Sequence, residues 1–242
     1  MLKVFLNIYC LLFFFLFTLF GLVLLPFILL VNVLFFSRGI GSTLRRAIRL
    51  YGRVLVCEGL FFAPVKVEYQ TKKLTPSSIY VANHTSAIDP YLFGAVAADE
   101  NSFVTSWPFK IPLYGRFMRL AGYANADEGW DSVREKCTDL LNNGCSVTIW
   151  PEGHRSRDGR LGRFRKGAFV LAVETGRPVV PVCIFGAAKV LPPGRRLLNP
   201  GRIKLIVLAP VYPSTEGDQY ERVKALNEKV RQEIEKTMMG QS

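Results

Sequence analysis

A run of 33 residues from Val4 to Phe36 carries no charge, and within it only Asn7, Thr18, Gly21, Pro26 and Asn32 are not apolar. Nine of the chain's 18 phenylalanines fall inside it. A stretch this long and this apolar finds its natural solvent in a lipid bilayer. A cleavable signal peptide has an apolar region of about 7 to 15 residues ahead of a small-residue cleavage site. This run is longer and ends in Phe35-Phe36-Ser37-Arg38, so it is expected to stay attached. As one straight helix it would reach about 50 Å, against a hydrocarbon core about 30 Å thick. Gly21 and Pro26 lie near its middle, and both weaken a helix. The prediction is therefore a bent or re-entrant membrane helix pair over residues 1–36, followed by one domain over 37–242.

The remainder is basic. The chain has 31 Lys and Arg against 19 Asp and Glu, a net charge of +12. Lys3 stands alone before the apolar run, while Arg38, Arg45, Arg46, Arg49 and Arg53 follow it, so the positive-inside bias puts the domain on the cytoplasmic face. Arg45, Arg49 and Arg53 recur at four-residue spacing on one helical face, which would lie against anionic headgroups or be solvated. Cys10, Cys57, Cys137, Cys145 and Cys183 are odd in number and form no C-x-x-C pair. They predict a reducing compartment and argue against a disulfide framework or a zinc site. With only His84 and His154 besides, no metal is expected.

Short apolar stretches recur at Val65–Tyr69, Ser78–Ala82, Phe103–Ser106, Ser146–Trp150, Val179–Ile184 and Ile203–Ala209, with helix-like stretches at Ser132–Leu141 and Gly167–Glu174. Buried strands alternating with helices predict an α/β fold with a mostly parallel sheet flanked by helices. Sites in such sheets gather where strands run into loops. The mixed-charge stretch Glu216–Met239 reads as a solvated closing helix.

Two strand ends carry the reactive residues. Ser78–Ala82 runs into Asn83-His84-Thr85-Ser86-Ala87-Ile88-Asp89-Pro90. A neutral imidazole can take a proton from a hydroxyl, and Asp89 can orient its other nitrogen if the intervening residues form a turn. Pro90 suits a first helical position, with Asp89 either as that orienting carboxylate or simply as the helix cap. Ser146–Trp150 runs into Pro151-Glu152-Gly153-His154-Arg155-Ser156, where Arg155, Ser156 and backbone N–H groups can grip a phosphate. Residues 155–166 carry six cations against the single Asp158. Beside a strand-end turn they point to a phosphorylated substrate. Nucleic acid is not expected, because aromatics other than Phe164 are not interleaved.

Together these blocks resemble the glycerolipid acyltransferases, the family of 1-acylglycerol-3-phosphate (lysophosphatidate) acyltransferase. Its N-H-x-x-x-x-D motif is matched by Asn83, His84 and Asp89, and its E-G-x-R-S motif by Glu152, Gly153, Arg155 and Ser156. An apolar stretch around a proline is matched by Val179, Val180, Pro181 and Val182. The resemblance implies a membrane O-acyltransferase with catalytic His84 and Asp89, using acyl-CoA or acyl-carrier protein as co-substrate without a further cofactor. It implies that Asn83, Lys110, Glu152, Gly153, Arg155 and Ser156 bind the substrate and that Val179–Val182 line the acyl side. Backbone N–H groups near His84 would serve a developing oxyanion. No G-x-S-x-G elbow is present, in keeping with direct attack on the thioester.

One motif departs from the family pattern. Lys110, Pro112, Gly115 and Gly122 fit, but Glu128 stands where G-x-x-F-I-x-R has its arginine. His154 also replaces the more usual Thr of the E-G-x-R-S block. Three readings follow from Glu128: Lys110 or a cation from Arg155 to Lys166 takes over the acceptor phosphate, the acceptor is another lysolipid such as a lyso-ornithine lipid, or Glu128 faces solvent. A non-catalytic lipid-binding member is the reading from another class, and intact Asn83, His84, Asp89 and Glu152 argue against it.

Overall fold

The computed structural model describes residues 1–71, 76–96 and 100–240. The chain enters through helix α1 (Leu2–Val31), which continues as a π-helical turn over Asn32–Phe36. No break occurs at Gly21 or Pro26, so the predicted pair within residues 1–36 is not what forms. A proline removes one hydrogen bond from a helix, and the unbroken helical run on both sides carries the chain past it. The reversal comes later, at Ser37 in the left-handed region (φ 50°), and leads into α2 (Ile40–Val54). The pair is thus α1 with α2.

The polar residues of the apolar run explain how α1 sits. Asn7 exchanges two hydrogen bonds with the backbone of Leu198, at 2.9 and 2.7 Å. Thr18 bonds the Tyr51 hydroxyl at 2.6 Å, Phe17 stacks on the Tyr51 ring, and Asn32 donates to the Arg38 carbonyl. Gly59, just past α2, leaves room for the Phe13 ring, which an added Cβ would meet at 2.7 Å. The polar side chains therefore face protein, and large apolar ones such as Phe5, Phe15, Phe20 and Phe27 remain exposed. Leu2–Phe36 is long and apolar enough to cross a membrane.

Among the described residues seven strands form one sheet: β1 (Val65–Tyr69), β2 (Ile79–Ala82), β3 (Asn101–Thr105), β4 (Ala124–Asn125), β5 (Ser146–Ile149), β6 (Val179–Phe185) and β7 (Ile203–Val207). Their order is β1-β7-β6-β2-β5-β3-β4, and every neighbouring pair is parallel except β6 with β7. The mostly parallel α/β architecture is as the alternation of elements implies. β4, at two residues, is too short to leave a periodic trace and was not anticipated.

Among the described residues six further α-helices follow: α3 (Asp89–Leu92), α4 (Pro112–Leu120), α5 (Trp130–Asn142), α6 (Gly167–Thr175), α7 (Ala187–Val190) and α8 (Gln219–Met239). Ile79 and Val81 of β2 face a core built with α5, α6 and α8. Tyr80 and Ala82 face the opposite core, with Val56, Leu60, Leu92 and Phe93. Burial on both faces is why β2 reads as a continuous apolar run. α8 begins at Gln219 rather than Glu216 because Asp218 and Glu221 form a reciprocal capping box. The five cysteines are free thiols.

The basic stripe of α2 does not form a uniform face. Arg45 is buried, bonding Glu100 through Nη2 at 2.9 Å and the Ala121 carbonyl through Nη1 at 2.7 Å. Arg46 and the Ser42 hydroxyl bind the other Glu100 oxygen. Arg49 reaches toward the Val96 carbonyl, and only Arg53 of the three stripe arginines is exposed. Burial pushes the Glu100 carboxyl up, but the Ser42 hydroxyl and the Arg45 guanidinium outweigh it and hold its pKa below the ordinary value. A folded pKa below the unfolded value of about 4.3 contributes stability that is complete above that value and lost as pH falls through the folded one. Arg45→Ala is expected to cost about 3 kcal/mol in denaturant unfolding and to flatten this acid-side loss when melting is followed against pH.

Candidate functional site

The site is assembled where β2 and β5 end. Beyond β2, Asn83 continues the ladder with its side chain: Nδ2 donates to the Ile184 carbonyl at 2.9 Å and Oδ1 accepts from Ile184 N–H at 2.7 Å. Asn83 is buried and does not line the cavity described below, so the expected substrate contact is instead a pin that fixes the residue before His84.

The turn from His84 to Asp89 closes on one oxygen. Asp89 Oδ2 accepts from His84 Nδ1 at 2.8 Å and from the N–H groups of Thr85 and Ser86 at 2.8 and 2.9 Å. Five residues of separation thus become a hydrogen bond, as a turn allows and a regular helix does not. Ile88 holds the cap position and Asp89 is the first residue of α3, so its acceptor capacity goes to the turn rather than to a helix end. Because a carboxylate accepts, Nδ1 carries the proton and Nε2 presents its lone pair. The N–H groups of residues 84–86 are all taken by carboxylates. These three N–H groups are therefore not free for an oxyanion, and any backbone donor near His84 must lie further along the turn. Ala87 lines the cavity, and its N–H makes no hydrogen bond among the described residues.

Glu152 is buried at 3% exposure and bridges the two strand ends. Its Oε1 accepts from His84 N–H at 2.9 Å and its Oε2 from Gly162 N–H at 2.8 Å. With both oxygens engaged it braces the site rather than touching a ligand. Ser156 is likewise engaged within the fold: its N–H donates to the His84 carbonyl at 2.7 Å and its hydroxyl to Asp158. Gly153 does line the cavity. Its φ of +74° favours glycine, and a Cβ there would lie 2.8 Å from the Arg165 guanidinium.

His84, Gly153, His154 and Arg155 open onto a cavity of about 1320 Å³. Arg157, Arg165 and Lys166 join Arg155 on its basic side, while Val104, Val133, Ile149 and Val170 supply an apolar wall. The three tryptophans of the chain, Trp107, Trp130 and Trp150, all line it. Trp150 packs against the His84 ring, with centroids 4.9 Å apart, and stacks on Phe103. These aromatics were missed from sequence, although Trp150 directly precedes the Pro151-Glu152 turn. Among the described residues no three His, Cys, Asp or Glu side chains cluster as metal ligands would.

Other expected contacts lie elsewhere. Lys110 is exposed and pairs with Asp127 at 3.1 Å, off the cavity. Val179, Val180, Pro181 and Val182 are buried in the middle of the sheet, where β6 is flanked by β2 and β7, and none lines the cavity. Glu128 is exposed, bonding Asn125 and Ser132, and is not among the residues lining the cavity, although its neighbours Ala126, Gly129 and Trp130 are. It is the solvent-facing reading of Glu128 that the structure bears out.

Comparison with known proteins supplies the family. Residues 65–185 match the family model described as "Acyltransferase". The chain is 35% identical over 158 residues to the chloroplastic 1-acyl-sn-glycerol-3-phosphate acyltransferase BAT2 of Brassica napus, covering 62% of this chain and 46% of that one. It is 29% identical over 185 residues to the 1-acyl-sn-glycerol-3-phosphate acyltransferase of Saccharomyces cerevisiae, covering 72% and 59%. The match thus spans about half the length of these curated relatives. The crystal structure of the 1-acyl-sn-glycerophosphate acyltransferase PlsC from Thermotoga maritima superposes with a TM-score of 0.68 at 27% identity, over 95% of this chain and 97% of that one.

Glu152→Gln tests the brace. A glutamine can accept at only one of the two positions, so the other buried N–H meets an amide donor, at a cost of about 1–3 kcal/mol. Unfolding should show that loss, and amide exchange at Gly162 should accelerate.

Proposed function

The chain belongs to the acyltransferase family, and we propose that it transfers a fatty acyl group from the thioester of acyl-CoA or an acyl-carrier protein to the free hydroxyl of 1-acylglycerol-3-phosphate, giving phosphatidate. The observation that carries this reading is the His84–Asp89 hydrogen bond at 2.8 Å, at the edge of a cavity with one basic and one apolar side.

The chemistry follows from that arrangement. His84 Nε2 takes the acceptor's hydroxyl proton as its oxygen attacks the thioester carbonyl, and Asp89 stabilises the imidazolium that results. When the tetrahedral intermediate collapses, the new C–O bond stays, the C–S bond breaks and the departing thiolate recovers the proton. The reading needs no acyl-enzyme, and the Ser86 hydroxyl beside the turn is committed to the Leu191 carbonyl at 2.8 Å. The Ala87 N–H is the backbone donor available to the oxyanion. Arg155 and Arg157 hold the acceptor phosphate, and Val104, Val133, Ile149 and Val170 receive acyl chain. With Glu128 exposed and off the cavity, nothing in its position favours another lysolipid as acceptor.

Membrane lipids are the remaining partner. In this reading α1 anchors the protein and the arginines after it keep the domain on the cytoplasmic face. No cofactor or metal enters the reaction.

The test is phosphatidate formation by purified full-length protein. His84→Ala is expected to reduce it by about 10²-fold to 10⁴-fold in protein that circular dichroism shows still folded, and retained turnover would remove the general base from the mechanism. In a panel of lysolipid acceptors, lysophosphatidate should turn over best, and Glu128→Arg should change its KM by less than about twofold because the exposed side chain is screened. A large improvement on adding the arginine would return Glu128 to the acceptor site.

A further inference from the structure

A second apolar surface lies outside α1. The turn Trp107–Lys110 leads into α4, where Leu113, Phe117 and Leu120 recur at four- and three-residue spacing and so share one helical stripe. The protein takes the other side of the helix. Gly115 and Met118 are buried, and a Cβ on Gly115 would lie 2.6 Å from the Phe109 carbonyl oxygen. Leu113 and Leu120 are each 58% exposed, and Trp107 and Ile111 ahead of them are exposed as well. An amphipathic helix on a globular protein ordinarily turns its apolar stripe inward, so an outward one calls for a partner.

This surface continues that of the helix pair. Leu25 of α1 packs against the cluster that Phe109 and Met118 help to build. At the far end of α4, the Leu120 carbonyl oxygen lies 3.3 Å from where a Gly41 side chain would begin, so α4 abuts the first turn of α2. Ile40 next to Gly41 is exposed, as are Phe35 and Phe36 before it. Apolar side chains thus remain uncovered from α1 through the start of α2 to α4. The flank is basic: Trp107–Leu120 holds Lys110, Arg116 and Arg119 and no Asp or Glu. Asp127 pairs with Lys110 at 3.1 Å, and Glu128 lines one small pocket with Arg119. Arg116, three residues after Leu113 and four before Leu120, forms no ion pair among the described residues.

We propose that Trp107–Leu120 is a second membrane contact, with Leu113 and Leu120 among the acyl chains of an anionic bilayer and Arg116 reaching its phosphates. Exposed leucines, a tryptophan and a basic flank are what a helix lying in a bilayer interface presents. A second copy of this chain seated on the same face would instead set like charges against each other. The proposal rests on the membrane-anchored acyltransferase reading above and adds where the cavity meets lipid. Trp107 both stands exposed and lines the cavity. With its segment in the interface, the cavity opens on the bilayer at Trp107, and a lysolipid passes toward His84 without crossing water.

The experiment places single nitroxide labels on full-length protein in vesicles of phosphatidylcholine and phosphatidylglycerol, with Cys10 and Cys57 replaced by serine. The labels enter through Leu113→Cys, Leu120→Cys, Phe20→Cys on α1 and Tyr220→Cys on α8. Oxygen concentrates in lipid and a nickel chelate stays in water, so their relative effects on relaxation report depth. Labels at 113 and 120 are expected to read as lipid-exposed, as at 20, while the label at 220 reads as aqueous. Leu113→Glu together with Leu120→Glu should raise KM for lysophosphatidate presented in vesicles by at least about tenfold. Its kcat, and its KM for a short-chain, water-soluble lysophosphatidate in detergent, should stay as they are. Aqueous labels at 113 and 120 with a lipid-exposed label at 20 overturn the proposal and leave the anchor standing, whereas an aqueous label at 20 overturns the anchor as well. Labels shielded from both reagents and broadening one another put a second copy on this face and also overturn it. So does an equal rise in KM for the water-soluble acceptor. If the wild-type chain turns over no lysolipid, the acyltransfer reading fails, and the depth of the labels still decides the contact.

Discussion

The parallel register of β2 against β5 underlies the whole site. Val81 lies opposite Ile149, so the residues three positions further along each chain, His84 and Glu152, leave the sheet at the same height. The Glu152 carboxylate then reaches the His84 N–H at 2.9 Å, and the His84 carbonyl receives the Ser156 N–H at 2.7 Å. A shift of one residue would move both strands' buried side chains to the wrong face. Burial on two faces therefore protects the register, and the register positions the imidazole.

Around that register, two buried carboxylates do the local work. Asp89 gathers three donors on one oxygen and closes the turn that presents His84. Glu152 ties the end of β2 to the loop carrying the cations. Buried carboxylates are costly unless their oxygens find donors; both Glu152 oxygens and Asp89 Oδ2 find them in loop N–H groups and the His84 ring, while Asp89 Oδ1 has no partner among the described residues. The carboxylates thus order segments that would otherwise be mobile loops, and they leave the cavity's charge positive.

The motif residues were legible because loop chemistry is local. A histidine and an aspartate five apart after an apolar strand, and a Glu-Gly pair after another, stand out by type and position. Their roles were less legible. Asn83, Glu152 and Ser156 look like ligand-binding residues in one dimension, yet their polar atoms are engaged within the fold, by backbone as distant as Ile184 and Gly162 and, for the Ser156 hydroxyl, by Asp158. Arg45 looked like a membrane-facing cation and is buried on Glu100, 55 positions away. The tryptophans that wall the cavity come from three separate segments, Trp130 from the start of α5 and Trp150 from the loop after β5, and nothing in their spacing predicts that they converge.

What the sequence by itself determined was the apolar entry helix, the alternating α/β pattern with its mostly parallel sheet, and the pairing of His84 with Asp89. These depend on periodicity, burial and short-range turns, all written in neighbouring residues. What only the tertiary structure decided was where α1 ends and turns, which polar residues brace and which face the cavity, and that Glu128 lies outside it. Those outcomes depend on which strands adjoin and which side chains find partners across the fold, and such long-range pairing leaves no periodic trace in the chain.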